Sequence, residues 1–244
     1  AAMQLNRWDV ATVAFGRVVN LEPEESEAWS NLGTAYKQQQ CFDKALICYR
    51  QGAKYGFENW KIWTNYLYMC MQCGETSNAI QCGQRLAELR TRDFDPTLLP
   101  PITEAVLRSC DAEENDAAKQ QLHNALKTLL ENVAKHISNS PLLWRCCAVS
   151  AKYDNETEKE YEFALKECRA WRVDWAGNDT AAPDLLASAC ALGECAVWCG
   201  AGSAHSALLY LRGIARKAKE NFDGHAKLLQ LNGIVATLEA LDKA

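Results

Sequence analysis

The sequence predicts an all-α fold, a right-handed superhelical solenoid of helix–turn–helix pairs, on three observations. Ala11, Ala45 and Ala79 lie 34 residues apart, Trp29 and Trp63 keep that spacing, and so do Phe15 and Tyr49. A fixed period of this length marks units that bury their apolar faces only against their neighbours. Apolar residues recur at helical spacing almost from end to end, without a strand-like alternation. Thirteen glycines and six prolines in 244 residues are few for an all-β chain, which needs a turn every 8–12 residues or so.

Taken in order, Trp8 to Val19 reads as the second helix of a truncated unit, closed by Asn20–Leu21–Glu22–Pro23. Ser26 is the expected N-cap of a helix carrying Trp29, Leu32, Gly33 and Tyr36. Phe42 to Ala53 is its partner, with Ala45, Leu46 and Tyr49 inward, and Asn59–Gln72 with Ser77–Arg90 form the next pair. Thr91 to Pro101, with Asp93, Asp95, Pro96 and Pro100–Pro101, breaks the rhythm, and helix is expected again near Ile102. Asp111–Asp116 is an acidic loop or helix start, followed by an amphipathic helix over Ala117–Ile137. Ser140 and Pro141 open a helix with Leu143, Trp144 and Cys147. Trp144 sits where a repeat tryptophan belongs, but Asp154–Thr157 reads as an insertion before Glu158–Trp171. Val173–Ala182 is the least helical stretch, and helices at about Pro183–Cys199, Ser203–Asn221 and Asp223–Leu241 close the chain. The expected division is residues 1–92 as regular repeats and 93–244 as degenerate helical pairs of irregular length continuing the same array.

The positions within a unit have physical reasons. Gly33 and Ala45 are small where two helices of a pair are expected to cross, while Trp29 and Tyr36 fill the space toward adjoining helices and Tyr49 belongs to the repeat core. In the next unit Trp63 and Ala79 keep their places, while Leu67 and Cys70 replace the glycine and the tyrosine. These side chains are read as core, so truncating a buried Trp63 is expected to cost about 3–5 kcal/mol. With Ser26 as position one, the spacing of Trp29, Leu32, Gly33, Tyr36, Ala45 and Tyr49 resembles the tetratricopeptide repeat.

Composition excludes several functions. The net charge is −5, from 26 basic and 31 acidic residues, so a phosphate backbone is a poor candidate partner. The segment nearest to a membrane span, Pro183–Gly200, is interrupted by Asp184 and Glu194. Twelve cysteines are too sparse for a disulfide scaffold in a chain this long. Cys41, Cys48, Cys70, Cys82, Cys168 and Cys190 sit in apolar helical patterns, which suits a reducing compartment, cytoplasm and also nucleus. The start at Ala1–Ala2–Met3 falls within a helical pattern, and the chain is expected to be the C-terminal part of a longer protein. His123, His136, His205 and His225 lie apart, and Gly200–Ala201–Gly202 follows a helix rather than a strand. No enzymatic centre, cofactor or small-molecule substrate is therefore expected.

The expected working surface is the inner face of the first helix of each unit. It comprises Glu27, Ser30, Asn31 and Thr34, then Lys61, Thr64, Asn65 and Tyr68. Asn31 and Asn65 recur in register, and a carboxamide both donates to and accepts from the backbone of an extended peptide. A complete clamp for a chaperone's terminal carboxylate is not expected, because Asn65 stands where arginine is needed for a two-pronged bond. The CxxC at Cys70–Cys73, near Cys82, and the series Cys190, Cys195 and Cys199 lack the paired spacing of a zinc site and read as packing. Arg212, Arg216 and Lys219 form a cationic stripe, a possible patch for an acidic partner or RNA.

More particular are Phe57–Glu58–Asn59–Trp60–Lys61–Ile62–Trp63–Thr64–Asn65–Tyr66, Asn78–Ala79–Ile80, Leu86–Ala87–Glu88–Leu89–Arg90 and Leu143–Trp144–Arg145. These resemble the C-terminal half of the tetratricopeptide repeat protein 27 family, over roughly Trp8 to Trp171. The resemblance implies a non-enzymatic adaptor that works with chaperone machinery in assembly of the U5 spliceosomal particle. Its partners would be proteins, chaperone or ribonucleoprotein assembly components, with no membrane and no direct nucleic-acid contact. The alternative is an RNA-contacting helical-repeat protein.

Overall fold

The computed structural model describes residues 7–175, 182–199, 201–222 and 226–242. Part of the Gly/Asn/Asp-rich stretch before Ala182, together with Gly200 and His225, lies outside them. The described residues hold twelve α-helices, one 3-10 turn and no strand. They fall into two compact units, Ala1–Ile137 and Ser138–Ala244. The boundary lies well beyond residue 92 because the two helices after the Pro-rich break pack onto the repeats before them.

The first unit contains α1 (Trp8–Leu21), α2 (Ser26–Gln38), α3 (Phe42–Tyr55), α4 (Trp60–Cys73), α5 (Thr76–Leu89), α6 (Leu99–Ala112) and α7 (Asp116–Ala134). Each helix packs on the next, and α7 also lies against α5. Glu25, not Ser26, caps α2, through a carboxylate that accepts from the Glu27 amide at 3.2 Å. Ser26 is already helical and pressed against Gly56, where a Cβ would meet its side chain at 2.8 Å. Helix α6 starts at Leu99 rather than near Ile102, with Pro100 and Pro101 in its first turn. First-turn amides have no intrahelical acceptor, so proline loses no bond there.

The second unit contains α8 (Pro141–Tyr153), α9 (Thr157–Trp175), α10 (Ala182–Cys199), α11 (Ala201–Phe222) and α12 (Ala226–Asp242). Asp154–Thr157 is not an insertion. The hairpins α2–α3, α4–α5 and α8–α9 each turn through one residue of positive φ, Gln40 (60°), Gly74 (75°) and Asn155 (58°). The next amide then bonds back to a carbonyl of the first helix: Cys41 to Tyr36, Glu75 to Cys70, and Glu156 to Ala151, all at 2.9 Å. This left-handed closure satisfies carbonyls that the helix end leaves open. Measured from Trp29, Trp63 and Trp144, the left-handed residue and the start of the second helix fall at identical spacings in all three hairpins. The repeat register therefore resumes intact at Trp144.

Helix α9 begins at Thr157 and α12 at Ala226, each shifted slightly from its expected start. The core of the second unit is rich in small and branched residues, including Leu185, Ala189, Leu192, Leu208, Leu211 and Leu231.

Candidate functional site

The repeat tryptophans act through their nitrogen as well as their rings. Trp29, Trp63 and Trp144 donate Nε1–H to the carbonyls of Pro23, Phe57 and Ser138 at 2.8, 3.0 and 2.8 Å, each six residues upstream. Each indole thus ties the connecting loop to the first helix of the hairpin. All three are half-buried rather than core, because an indole serving a loop carbonyl must reach the rim of the helix pair. Trp29 and Tyr36 pack with Phe15 against Val19, Ala28, Leu32 and Cys48, joining α1, α2 and α3. Ala45, Tyr49 and Ala79 are fully buried, and Gly33 lets the Tyr49 ring approach to where a Cβ would sit 3.0 Å away.

The structure divides the expected groove residues of the first unit. Ser30 is buried and does not line a groove, since α3 crosses there and the Ser30 amide would lie 3.4 Å from a Cβ on Gly52. Thr34 donates to or accepts from the Tyr49 hydroxyl at 3.0 Å and also bonds the Ser30 carbonyl, while Thr64 bonds the Trp60 carbonyl at 2.9 Å. Their hydroxyls are therefore already engaged. Glu27, Lys61, Asn65 and Tyr68 are exposed, and Asn31 is half-buried. Lys61, Asn65 and Tyr68 share one face of α4 by their spacing.

The second unit holds a site that the sequence reading missed. Helices α8 and α10 both pack on α9, and the space between them is a cavity of about 320 Å³. Arg145, Ala148, Val149 and Lys152 line one side, and Asp184, Ala187, Ser188, Ala191 and Cys195 the other. Glu160, Ala164 and Glu167 form the floor. A second cavity of about 260 Å³ shares Lys152, Glu160, Ala191 and Cys195 and extends the trough to Trp198. That indole is 84% exposed, the most open large apolar side chain among the described residues.

The cavity has a cause in the repeat register. Position by position, Ala148 and Ala164 stand where the first repeat has Gly33 and Tyr49. Tyr49 fills the space over Gly33. In the second repeat the same positions are Leu67 and Gly83, and the space over Gly83 is taken by Leu129 and Ile102. Two alanines leave the volume unfilled.

Polar groups converge at one end of the trough. Glu167, 4% exposed, accepts from Arg145 Nε at 2.8 Å and from Ser188 Oγ at 2.5 Å, both on Oε1. That leaves Oε2 as an acceptor and the two terminal guanidinium nitrogens of Arg145 as donors. A donor pair beside a carboxylate oxygen matches the two-sided bonding of a peptide or carboxamide group. Further along, burial and a hydrogen bond to Glu160 raise the Cys195 thiol to about 12, so it stays protonated and uncharged.

The remaining expected residues lie elsewhere. Arg212 donates from Nε and Nη2 to Glu239 on α12, at 2.9 and 2.7 Å, so it is tied into the α11–α12 pair. Arg216 and Lys219 remain exposed on α11. Cys70 and Cys82 hydrogen-bond to one another between α4 and α5. Cys190, Cys195 and Cys199 have separate oxygen partners, the Lys227 carbonyl, Glu160 and the Thr157 carbonyl. None of the twelve cysteines is joined in a disulfide. No described helix is long and apolar enough to cross a membrane.

Stacked hairpins with an open face define an interaction scaffold of the helical-repeat class, and comparison with known proteins agrees. No protein-family model matches the chain. It is 33% identical over 155 residues to a TPR repeat-containing protein of Schizosaccharomyces pombe, covering 61% of this chain and 18% of that protein. It is 30% identical over 174 residues to the tetratricopeptide repeat-containing protein trd-1 of Caenorhabditis elegans, covering 66% and 23%. It is 27% identical over 134 residues to the tetratricopeptide repeat protein 27 homolog of Dictyostelium discoideum, covering 54% and 16%. The chain thus spans about a fifth of the length of the curated relatives it matches. Among solved structures, the MamA protein superposes with a TM-score of 0.51 at 11% identity, over 72% of this chain and 90% of that one, which bears on the fold alone. The chain has a tetratricopeptide-repeat-like helical fold and is similar to tetratricopeptide repeat-containing proteins, among them the tetratricopeptide repeat protein 27 homolog. Its relatives support a protein–protein interaction scaffold, and no enzymatic family is indicated.

Proposed function

We propose that the chain is an adaptor that holds an extended segment of a protein partner in the α8–α10 trough. The observation that carries this reading is the pairing of free Arg145 donors with the Glu167 acceptor beside the alanines Ala148, Ala164 and Ala187. A partner main chain would bond to that pair, a small apolar side chain would enter between Ala148, Ala164 and Ala187, and a ring would lie on Trp198. The exposed Lys61, Asn65 and Tyr68 of α4, with Asn31 of α2, offer a separate contact of the same kind in the first unit.

The resemblance to the tetratricopeptide repeat protein 27 family supports a finer reading. In it the chain is part of an assembly factor that cooperates with chaperone machinery on the U5 spliceosomal particle, in the cytoplasm and the nucleus. The RNA-contacting alternative is weakened by Arg212, whose ion pair with Glu239 interrupts the cationic stripe. The test is affinity purification of the full-length protein from cells, wild type beside Ala187→Trp, which fills the trough. Chaperone and spliceosomal components are expected with the wild type and depleted with the variant. Equal recovery with both, or recovery of neither class with the wild type, would overturn the proposal.

A further inference from the structure

The loop before α4 carries aromatic surface that the repeat does not require. In all three hairpins the tryptophan takes a loop carbonyl, from Pro23, Phe57 and Ser138, and the edge of the Phe57 ring also meets Trp63, with ring centres 6.3 Å apart. The first helical residues are Ser26, Trp60 and Pro141. Proline and serine thus satisfy both positions elsewhere, yet Phe57 is 55% and Trp60 38% exposed. Each ring also carries a guanidinium. Arg85 lies 3.6 Å from the centre of Phe57, and Arg90 lies 4.2 Å from that of Trp60, where Lys61 Nζ is 5.8 Å away.

The cations differ in what they have left to offer. Arg85 bonds the Phe57 carbonyl through Nε and Nη2 and pairs with Glu88 at 2.7 Å, so it fixes the Phe57 ring. Arg90 and Lys61 have no ion pair among the described residues. Glu58, between the two rings in sequence, is the one acid of the loop. In a chain of net charge −5, this edge is a cationic spot built around two partly exposed rings. Trp and Arg are enriched at the energetic centres of protein interfaces, and a guanidinium already stacked on a ring loses little freedom on binding a carboxylate.

We propose that Phe57, Trp60, Lys61 and Arg90 form a second docking surface, distinct from the α8–α10 trough, for a protein segment with carboxylates beside an aromatic or proline ring. The partner ring packs on Trp60 and Phe57, and its acids pair with Arg90 and Lys61. The probe is an array of random 12-residue synthetic peptides of varied charge and ring content, overlaid with the labelled full chain. Retained peptides are expected to be rich in Asp and Glu next to Trp, Tyr, Phe or Pro. Retention should fall about tenfold for Phe57→Ser/Trp60→Ser and for Arg90→Glu, but not for Ala187→Trp. The serines restore residue types that sister repeats carry at these positions, and an unchanged circular dichroism melt confirms that the fold survives. Retention without an acidic and aromatic bias, equal retention by the two surface variants, or capture of a labelled single-stranded RNA in place of the peptides would each overturn the proposal.

Discussion

Trp144 donates its indole N–H to the carbonyl of Ser138 at 2.8 Å, repeating what Trp29 does to Pro23 and Trp63 to Phe57. The bond repeats, within the second unit's first hairpin, the local geometry of the hairpins of the first unit. It also identifies the role of the periodic tryptophans. Each secures the entry loop of a helix pair at a half-buried rim, and its ring adds packing.

Replacing Trp144 or Trp63 by phenylalanine keeps most of the ring but removes the donor. Urea unfolding should show a loss of about 1 kcal/mol, the net worth of one hydrogen bond. Trp63→Ala should cost about 2 kcal/mol, less than the truncation of a fully buried tryptophan. A phenylalanine variant as stable as the wild type would show that the carbonyl bond contributes nothing.

The cavity makes one core position tolerant of growth. Ala164→Leu extends into open volume and should change stability by less than about 1 kcal/mol. Ala189→Leu, at a closed core position, should lose about 1–3 kcal/mol. Thermal melts of the two variants compare them directly, and an equal loss in both would mean that the trough is filled in solution.

Two glycines should respond in opposite directions to alanine. A Cβ on Gly193 collides with Ile234 Cγ2 and meets Leu211 Cδ1 at 3.1 Å, whereas one on Gly213 meets nothing within 4 Å. Alanine contributes about 0.5–1 kcal/mol to a helix interior, and overpacking costs about 1–3. Gly213→Ala should therefore raise Tm, and Gly193→Ala should lower it.

Alkaline pH should destabilise the fold through its buried thiols. Burial raises Cys48 to about 11, and burial with the Glu160 bond raises Cys195 to about 12. The unfolded chain releases these protons nearer pH 8.5–9 or so. Above that range the native state binds more protons than the unfolded one, so stability falls as pH rises toward the folded values. Below it the contribution is complete. Cys48→Ala should flatten the decline in chemical-denaturation midpoints between about pH 9 and 11. A slope identical to that of the wild type would remove Cys48 as a source.

Much of the fold is legible in the sequence because local rules and period agree. Ala45, Ala79, Tyr49 and the helix pairs around them follow from spacing alone. The exposure of Lys61, Asn65 and Tyr68 follows too, although Asn31 is half-buried and Ser30 lies beneath a helix crossing that spacing cannot locate. The trough was not legible, for two physical reasons. Asn155 adopts the left-handed conformation that Gly74 supplies elsewhere, so Asp154–Thr157 looks like an insertion when it is an ordinary turn. The cavity itself is an absence, created by Ala164 where Tyr49 stands in the first repeat. Had the register of Trp144 been carried forward, Arg145 and Val149 would have emerged at groove positions. Glu167 and Ser188, which orient Arg145, depend on a contact between helices that no local pattern encodes.

The most direct measurement of the central claim is site-specific photocrosslinking of the full-length protein in cells. A benzophenone side chain would replace Ala187 in the trough or, as a control, Arg169 on the opposite face of α9. Covalent capture of a partner segment from position 187, well above position 169 and suppressed by Arg145→Glu, is the predicted result. Equal capture from both positions, or none from position 187, would contradict the claim that partners enter the α8–α10 trough.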